Sequence, residues 1–143
     1  MTAGADGEPA EIRADRLAEQ ERSFARAFAA GDIGLARPLY RAEVVYLSPT
    51  VRLFDRPARI EGVDATLEFI QLTIRDCERI DYRAVESAVL PDGRSAFSRI
   101  HFDWGPTGAR LRSNYVVIYR YREGRIRQQE LYYDPSARPE SLA

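Results

Sequence analysis

The chain has 143 residues, 45% of them apolar and 30% charged, with a net charge of −1; this is enough for one domain with a core and too little to suggest two. All 21 basic residues are arginine, so a lysine Schiff base and a phosphate-binding P-loop are excluded. One Cys and one His exclude an internal disulfide and a zinc site built from Cys and His. No carboxylate spacing suggests another metal, so no cofactor is expected. The arginines are scattered among 22 acidic residues and leave no basic face for nucleic acid. No apolar run approaches the roughly 18 residues of a membrane span. The first residues also lack a basic-then-apolar leader, so a cytoplasmic location is expected.

Residues 1–9 read as a tail, 10–136 as a single domain and 137–143 as a C-terminal tail. A helix is predicted from about Glu11 to Ala30, because Leu17, Phe24 and Phe28 share one face. Gly31 is placed to end it and Asp32 to cap a short second helix through Leu39. Val44-Val45-Tyr46-Leu47 reads as a strand stopped by Ser48-Pro49. The segment 50–61 reads as irregular. Asp64 is expected to cap a helix whose buried face carries Leu67, Ile70, Ile74 and Cys77.

After Glu78 the apolar period changes from 3.6 to 2. Turn signals at Pro91-Asp92-Gly93, Gly105-Pro106-Thr107-Gly108 and Glu123-Gly124 separate four strands, at 80–90, 94–104, 110–122 and 125–134. Helices first and a meander last predict an α+β fold, with helices packed on one face of a curved antiparallel sheet. Val116 and Ile118 alternate with Tyr115, Val117 and Tyr119, so both sheet faces are apolar. A homodimer through the outer face is therefore expected.

The only histidine lies in Arg99-Ile100-His101-Phe102-Asp103. Residues two apart on a strand share a face, roughly 6.5–7 Å apart. Arg99, His101 and Asp103 are therefore expected together, lining a pocket. An imidazole that titrates near neutrality suits a general base, and a guanidinium cannot lose its charge to a developing enolate. Tyr46 and Tyr115 are candidates to bind a substrate, and Asp134 or Asp103 to orient the imidazole.

Several phrases resemble a known family. They are Phe28-Ala29-Ala30-Gly31-Asp32, Leu39-Tyr40-Arg41-Ala42-Glu43-Val44-Val45-Tyr46, Glu61-Gly62-Val63-Asp64-Ala65, Tyr115-Val116-Val117-Ile118-Tyr119-Arg120 and Tyr132-Tyr133-Asp134. Together they look like the SnoaL-like branch of the NTF2-like superfamily, over about residues 14 to 135. The resemblance implies a cone-shaped fold with a pocket between helices and sheet, and dimers through the other sheet face. Ketosteroid isomerases of that superfamily carry a catalytic Asp before a Pro, where this chain has Ser48-Pro49. Limonene-epoxide-hydrolase-like members use a Tyr and an Asn on the first strand, an Arg-x-Asp pair later and a last Asp. Tyr46 and Arg99 match these; Ser48 and His101 replace two, and the last falls near Leu131, beside Glu130 and Asp134. SnoaL-type polyketide cyclases use a His and an Asp, parts that His101 with Asp103 or Asp134 could take.

These residues point to a cofactor-independent general acid–base enzyme of cyclase, isomerase or lyase type, acting on a small, largely apolar, polyketide-like molecule. Epoxide hydrolysis and a non-catalytic ligand-binding or assembly module are the alternatives.

Overall fold

A computed structural model describes residues 11–75, 77–106, 109–133 and 138–141. Helix α1 (Ala14–Ala29) buries Leu17, Phe24, Ala27 and Phe28 along one stripe. Its end is closed by two hydrogen bonds, Asp32 N–H to the Ala27 carbonyl and Gly31 N–H to that of Phe28, each 3.0 Å. This closure needs a left-handed residue, and Gly31 supplies it at φ +66°. Asp32 then caps a 3-10 segment, Ile33–Leu39, accepting from Gly34 N–H. Strand β1 (Tyr40–Leu47) starts earlier than its β-branched residues suggest.

The segment expected to be irregular holds two short elements: a 3-10 turn at Pro49–Phe54, capped by Ser48, and strand β2 (Arg59–Glu61) paired antiparallel with β1. Helix α2 (Val63–Ile74) is capped by Gly62 rather than Asp64. Asp64 instead lies in the first turn and forms a 2.8 Å ion pair with Arg37, so its carboxylate still favours the helix N-terminus. Cys77 is not on the helix. It opens strand β3 (Cys77–Val89), with its Sγ 3.8 Å from the Thr73 carbonyl.

The meander forms as expected from β3, β4 (Ser95–Pro106), β5 (Ala109–Arg122) and β6 (Arg125–Tyr133). At the β5–β6 turn both Glu123 (φ 52°) and Gly124 (φ 78°) are left-handed, as a tight two-residue hairpin requires. The sheet order is β2-β1-β6-β5-β4-β3. β1 runs parallel to β6, so the sheet is mixed rather than purely antiparallel; the crossover carries β1 to the far side of a hairpin that comes later in the chain. The segment expected as a C-terminal tail contributes β7 (Arg138–Ser141), paired with the start of β5.

Both helices lie on one sheet face. Phe24, Leu17 and Ile33 meet Val44, Ile100, Val117, Tyr119 and Ile126 there, all nearly or fully inaccessible to water. Among the described residues no helix is long and apolar enough to cross a membrane.

Candidate functional site

The register of the meander decides which side chains reach the interior. Across β4 and β5, Ile100 opposes Tyr115, Ser98 opposes Val117 and Ala96 opposes Tyr119; all six are buried. Next to them Phe102 is buried under the helices, as is Tyr82 on β3. Of these, Tyr82, Phe102 and Tyr115, with Tyr46 from β1, Gln129, Leu131 and Tyr133 from β6 and Phe24, Phe28 and Ile70 from the helices, surround a cavity of about 50 Å³. Thr50, Phe54 and Thr73 complete its wall and are only part-buried, which puts the mouth between the 3-10 turn and α2. The described residues lining it include no charged side chain.

The wall is mostly aromatic. Phe28 stacks on Tyr82 at 5.0 Å and meets Phe102 edge-on at 5.3 Å. Tyr115 packs edge-on against Phe102 at 6.0 Å and at a tilt against Tyr133 at 5.1 Å. Such offset and edge contacts hold rings in fixed orientations. One end is polar: the Ser48 and Thr50 hydroxyls are 2.8 Å apart, beside the hydroxyls of Tyr46 and Tyr133. Nearby, Tyr40 donates a 2.7 Å hydrogen bond to Gln129 Oε1, which fixes the amide that borders the cavity.

Burial determines the protonation of these groups. It raises Tyr46, and Tyr133 beside it adds to the effect. Burial also raises Tyr115, and it raises Tyr133 to about 12, against the pull of Ser48 and Thr50 hydrogen bonds. At neutral pH all three are un-ionised hydroxyls, able to donate to a ligand oxygen and unable to serve as bases unaided.

Of the expected site residues, Tyr46 and Tyr115 line the cavity, and Ser48 lies buried beside it. Arg99, His101 and Asp103 do not reach it. They occupy the opposite phase of β4 from Ser98, Ile100 and Phe102, and therefore face outward. Arg99 is 57% exposed with Glu86 at 3.9 Å, and His101 Nδ1 lies 3.3 Å from Asn114 Oδ1. Asp103 pairs across the strands with Asp81 and Arg112. The three residues do share a face, as period 2 requires, but it is the outer face and not the pocket. Asp134 lies outside the described residues.

One ionisable group near the cavity was not among the residues expected from the sequence. Glu21, on α1, is 5% exposed. Its Oε1 accepts a 2.5 Å hydrogen bond from the Tyr82 hydroxyl, and its Oε2 accepts one of 2.7 Å from Ser98. Burial raises its pKa, and the hydrogen bonds from Ser98 and Tyr82 oppose that rise. Beside it, Tyr121 donates to Gln20 Oε1 at 2.9 Å, and the buried Tyr119 hydroxyl also stabilises the Glu21 carboxylate. A signal was available. Between Leu17 and Phe24 an apolar stripe passes through position 21, at i+4 and i−3, and Glu fills it. Among the described residues no cluster of His, Cys, Asp or Glu could hold a metal ion.

A model of the SnoaL-like domain matches residues 21–129. The chain belongs to the SnoaL-like family. No curated protein gives a significant match. Among solved structures, Rv0760c from Mycobacterium tuberculosis is 17% identical over 90% of this chain and 99% of its own, at a TM-score of 0.72. An M. tuberculosis LEH-like epoxide hydrolase is 14% identical, with 84% of each chain covered and a TM-score of 0.66. A protein of ketosteroid isomerase-like fold from Catenulispora acidiphila, in complex with trimethylamine, is 16% identical over 82% of this chain and 87% of its own, at 0.68. Likeness at this identity establishes the shared fold. Near the place where the epoxide-hydrolase resemblance would put the last Asp, Leu131 lines the cavity; where the isomerase resemblance would put its Asp, this chain has Ser48.

Proposed function

We propose that this SnoaL-like protein binds a small, uncharged, largely apolar molecule bearing one carbonyl or hydroxyl oxygen. The observation that carries this is the cavity wall: among the described residues it is aromatic and aliphatic over most of its surface and uncharged, with neutral donors gathered at one end. An ionic ligand would lose its hydration there with no counter-charge to replace it, at a cost of several kcal/mol. A ligand oxygen at the polar end would instead meet the hydroxyls of Tyr46, Thr50 and Tyr133. At about 50 Å³ the cavity is below the 300–1,000 Å³ typical of ligand pockets, so a multi-ring ligand requires Phe54 and its neighbours to swing outward.

Thermal-shift titration with neutral cyclic ketones and phenols, beside carboxylate and ammonium analogues of the same shape, tests this. Neutral compounds at 100 times Kd should add about 2.7 kcal/mol. Leu131→Trp, which fills the cavity, should abolish the shift. Preference for the charged analogues would sink the reading, as would a shift that survives Leu131→Trp.

A second reading is favoured by Glu21. A buried carboxyl whose hydrogen-bond partner Tyr82 lines the cavity suits proton transfer to and from the bound molecule, as in cyclases and isomerases. Epoxide hydrolysis has less support, because the described residues of the cavity wall offer no carboxylate to activate water. On the outer face Phe97, Val116 and Ile118 are only half-buried and Tyr132 is 56% exposed. A second copy covering them is proposed, and Ile118→Arg should lower the sedimenting mass if it forms.

A further inference from the structure

Glu21 stands between two voids. On one side is the aromatic cavity, which it reaches through Tyr82. On the other is a groove of about 700 Å³ between α1 and β3, bordered by Glu21 itself, Tyr82 and Ser87. Tyr82 borders both. The hydrogen bonds join end to end: Tyr82 hydroxyl to Glu21 at 2.5 Å, Ser98 hydroxyl to Glu21 at 2.7 Å, and Ser98 to Ser87 at 2.9 Å. Ser98 is inaccessible and Glu21 nearly so, whereas Ser87 is exposed.

We propose that these four side chains form a proton path, with Glu21 as the acid–base group of the cavity, Tyr82 as its contact with the ligand, and Ser98 and Ser87 as its exit to solvent. The proposal rests on the proton-transfer reading above and supplies its machinery. In the step, a C–H bond beside the ligand carbonyl breaks and its proton goes to the Tyr82 oxygen. The Tyr82 O–H proton passes at the same time to Glu21 Oε1, and the electron pair stays on the ligand as an enolate. The enolate oxygen is held by the neutral hydroxyls of Tyr46 and Tyr133. Return of a proton through Tyr82 restores both residues, and Glu21 equilibrates with solvent through Ser98 and Ser87.

The surroundings suit the task. Tyr82 faces Glu21 from β3, Tyr119 and Tyr121 act on it from β5, and Tyr40 from β1. Arg22 and Arg83 stand at the rim of the groove. Among these, burial is the largest influence and moves Glu21 upward, toward the range where a carboxyl exchanges protons readily near neutral pH.

Two measurements separate this proposal from the binding reading. The first uses the ligand-free protein at a pH low enough to protonate Glu21: the infrared carbonyl band of its carboxyl, identified by its loss in Glu21→Gln. Transfer to D2O should shift this band within the mixing time in wild type and at least about tenfold more slowly in Ser98→Ala. A band that exchanges equally fast in Ser98→Ala, or whose titration is untouched by Tyr82→Phe, overturns the path. The second is deuterium incorporation beside the carbonyl of 2-tetralone, followed by NMR. Glu21→Gln and Tyr82→Phe should each lower the enzyme-catalysed rate by about 10²-fold or more, while 2-tetralone still raises Tm. Unchanged exchange in either variant overturns the proposal. No 2-tetralone-induced Tm shift in any form counts against the binding reading, and the infrared result then decides the path alone.

Discussion

Strand β4 carries two chemistries a single residue apart. Its inward phase, Ala96, Ser98, Ile100 and Phe102, is buried and uncharged; its outward phase, Phe97, Arg99, His101 and Asp103, is exposed or half-exposed and mostly polar. The difference teaches that side-chain reactivity is a poor guide to which face holds the pocket. The reactive row is solvated because charged groups are cheap there. The inward row is unreactive because burial under α1 selects against charge, and the buried Glu21 carboxyl enters from the helix.

The comparison breaks most sharply at Phe24, which is 2% exposed and packs on Tyr40, Tyr82 and Tyr119. Phe24→Ala should cost about 3–5 kcal/mol, read from the midpoint of urea unfolding. A loss under about 1 kcal/mol would mean that the inner face is loosely packed and the cavity ill-defined.

Alkali tests the same face collectively. Seven of the eight tyrosines are raised by burial above their ordinary value of 10.0, while exposed Tyr132 is raised chiefly by its hydrogen bond to Glu130. The folded state therefore holds these protons more tightly than the unfolded one. This contribution is complete below about pH 10 and is lost as pH climbs further. Phenolate absorbance of the seven buried tyrosines should rise in one step together with the loss of tertiary circular dichroism. Gradual ionisation of several tyrosines in a still-folded protein would show that water enters the cavity freely.

Glu21 gives a smaller effect at lower pH. Its pKa is raised from 4.5, so the folded form binds its proton more strongly. The stabilisation is full below about pH 4.5 and fades as pH rises through the folded value. Each tenfold gain in proton affinity on folding corresponds to about 1.36 kcal/mol. Between wild type and Glu21→Gln, the difference in unfolding free energy should change with pH across that window. A constant difference would place Glu21 in water rather than between the helix and the sheet.

These contrasts also explain what the sequence could tell. The meander was legible because Asp92-Gly93 and Glu123-Gly124 mark turns locally. Gly31 and Asp32 likewise mark the end of α1 and the start of the next segment. The parallel β1–β6 pairing was not, since it joins segments some eighty residues apart with no local mark. Tyr46 and Tyr115 were legible as cavity residues because aromatic side chains on buried strands point to a core. The Arg99-His101-Asp103 row was misplaced because period 2 identifies two faces without saying which one the helices cover. Glu21 was hidden because a charged residue on a surface helix is ordinarily solvated, and only the closing of α1 over the sheet makes it otherwise.

The smallest expected effect bears on that misplaced row. Arg99 makes a 3.9 Å contact with a comparably exposed Glu86, and a pair of that kind contributes about 0–1 kcal/mol. His101 faces Asn114 across the outer surface. Arg99→Ala and His101→Ala should each change unfolding free energy by no more than about 0.5 kcal/mol, and leave the Tm shift given by a neutral ketone unaltered. The two readouts are needed together. A stability change at constant ligand response would mean only that the outer face is better packed than it looks, as a second copy of the chain seated there would make it. Loss of the ligand response in His101→Ala, with stability intact, would place the imidazole in the functional site and reverse the assignment of faces on which the Glu21 path depends.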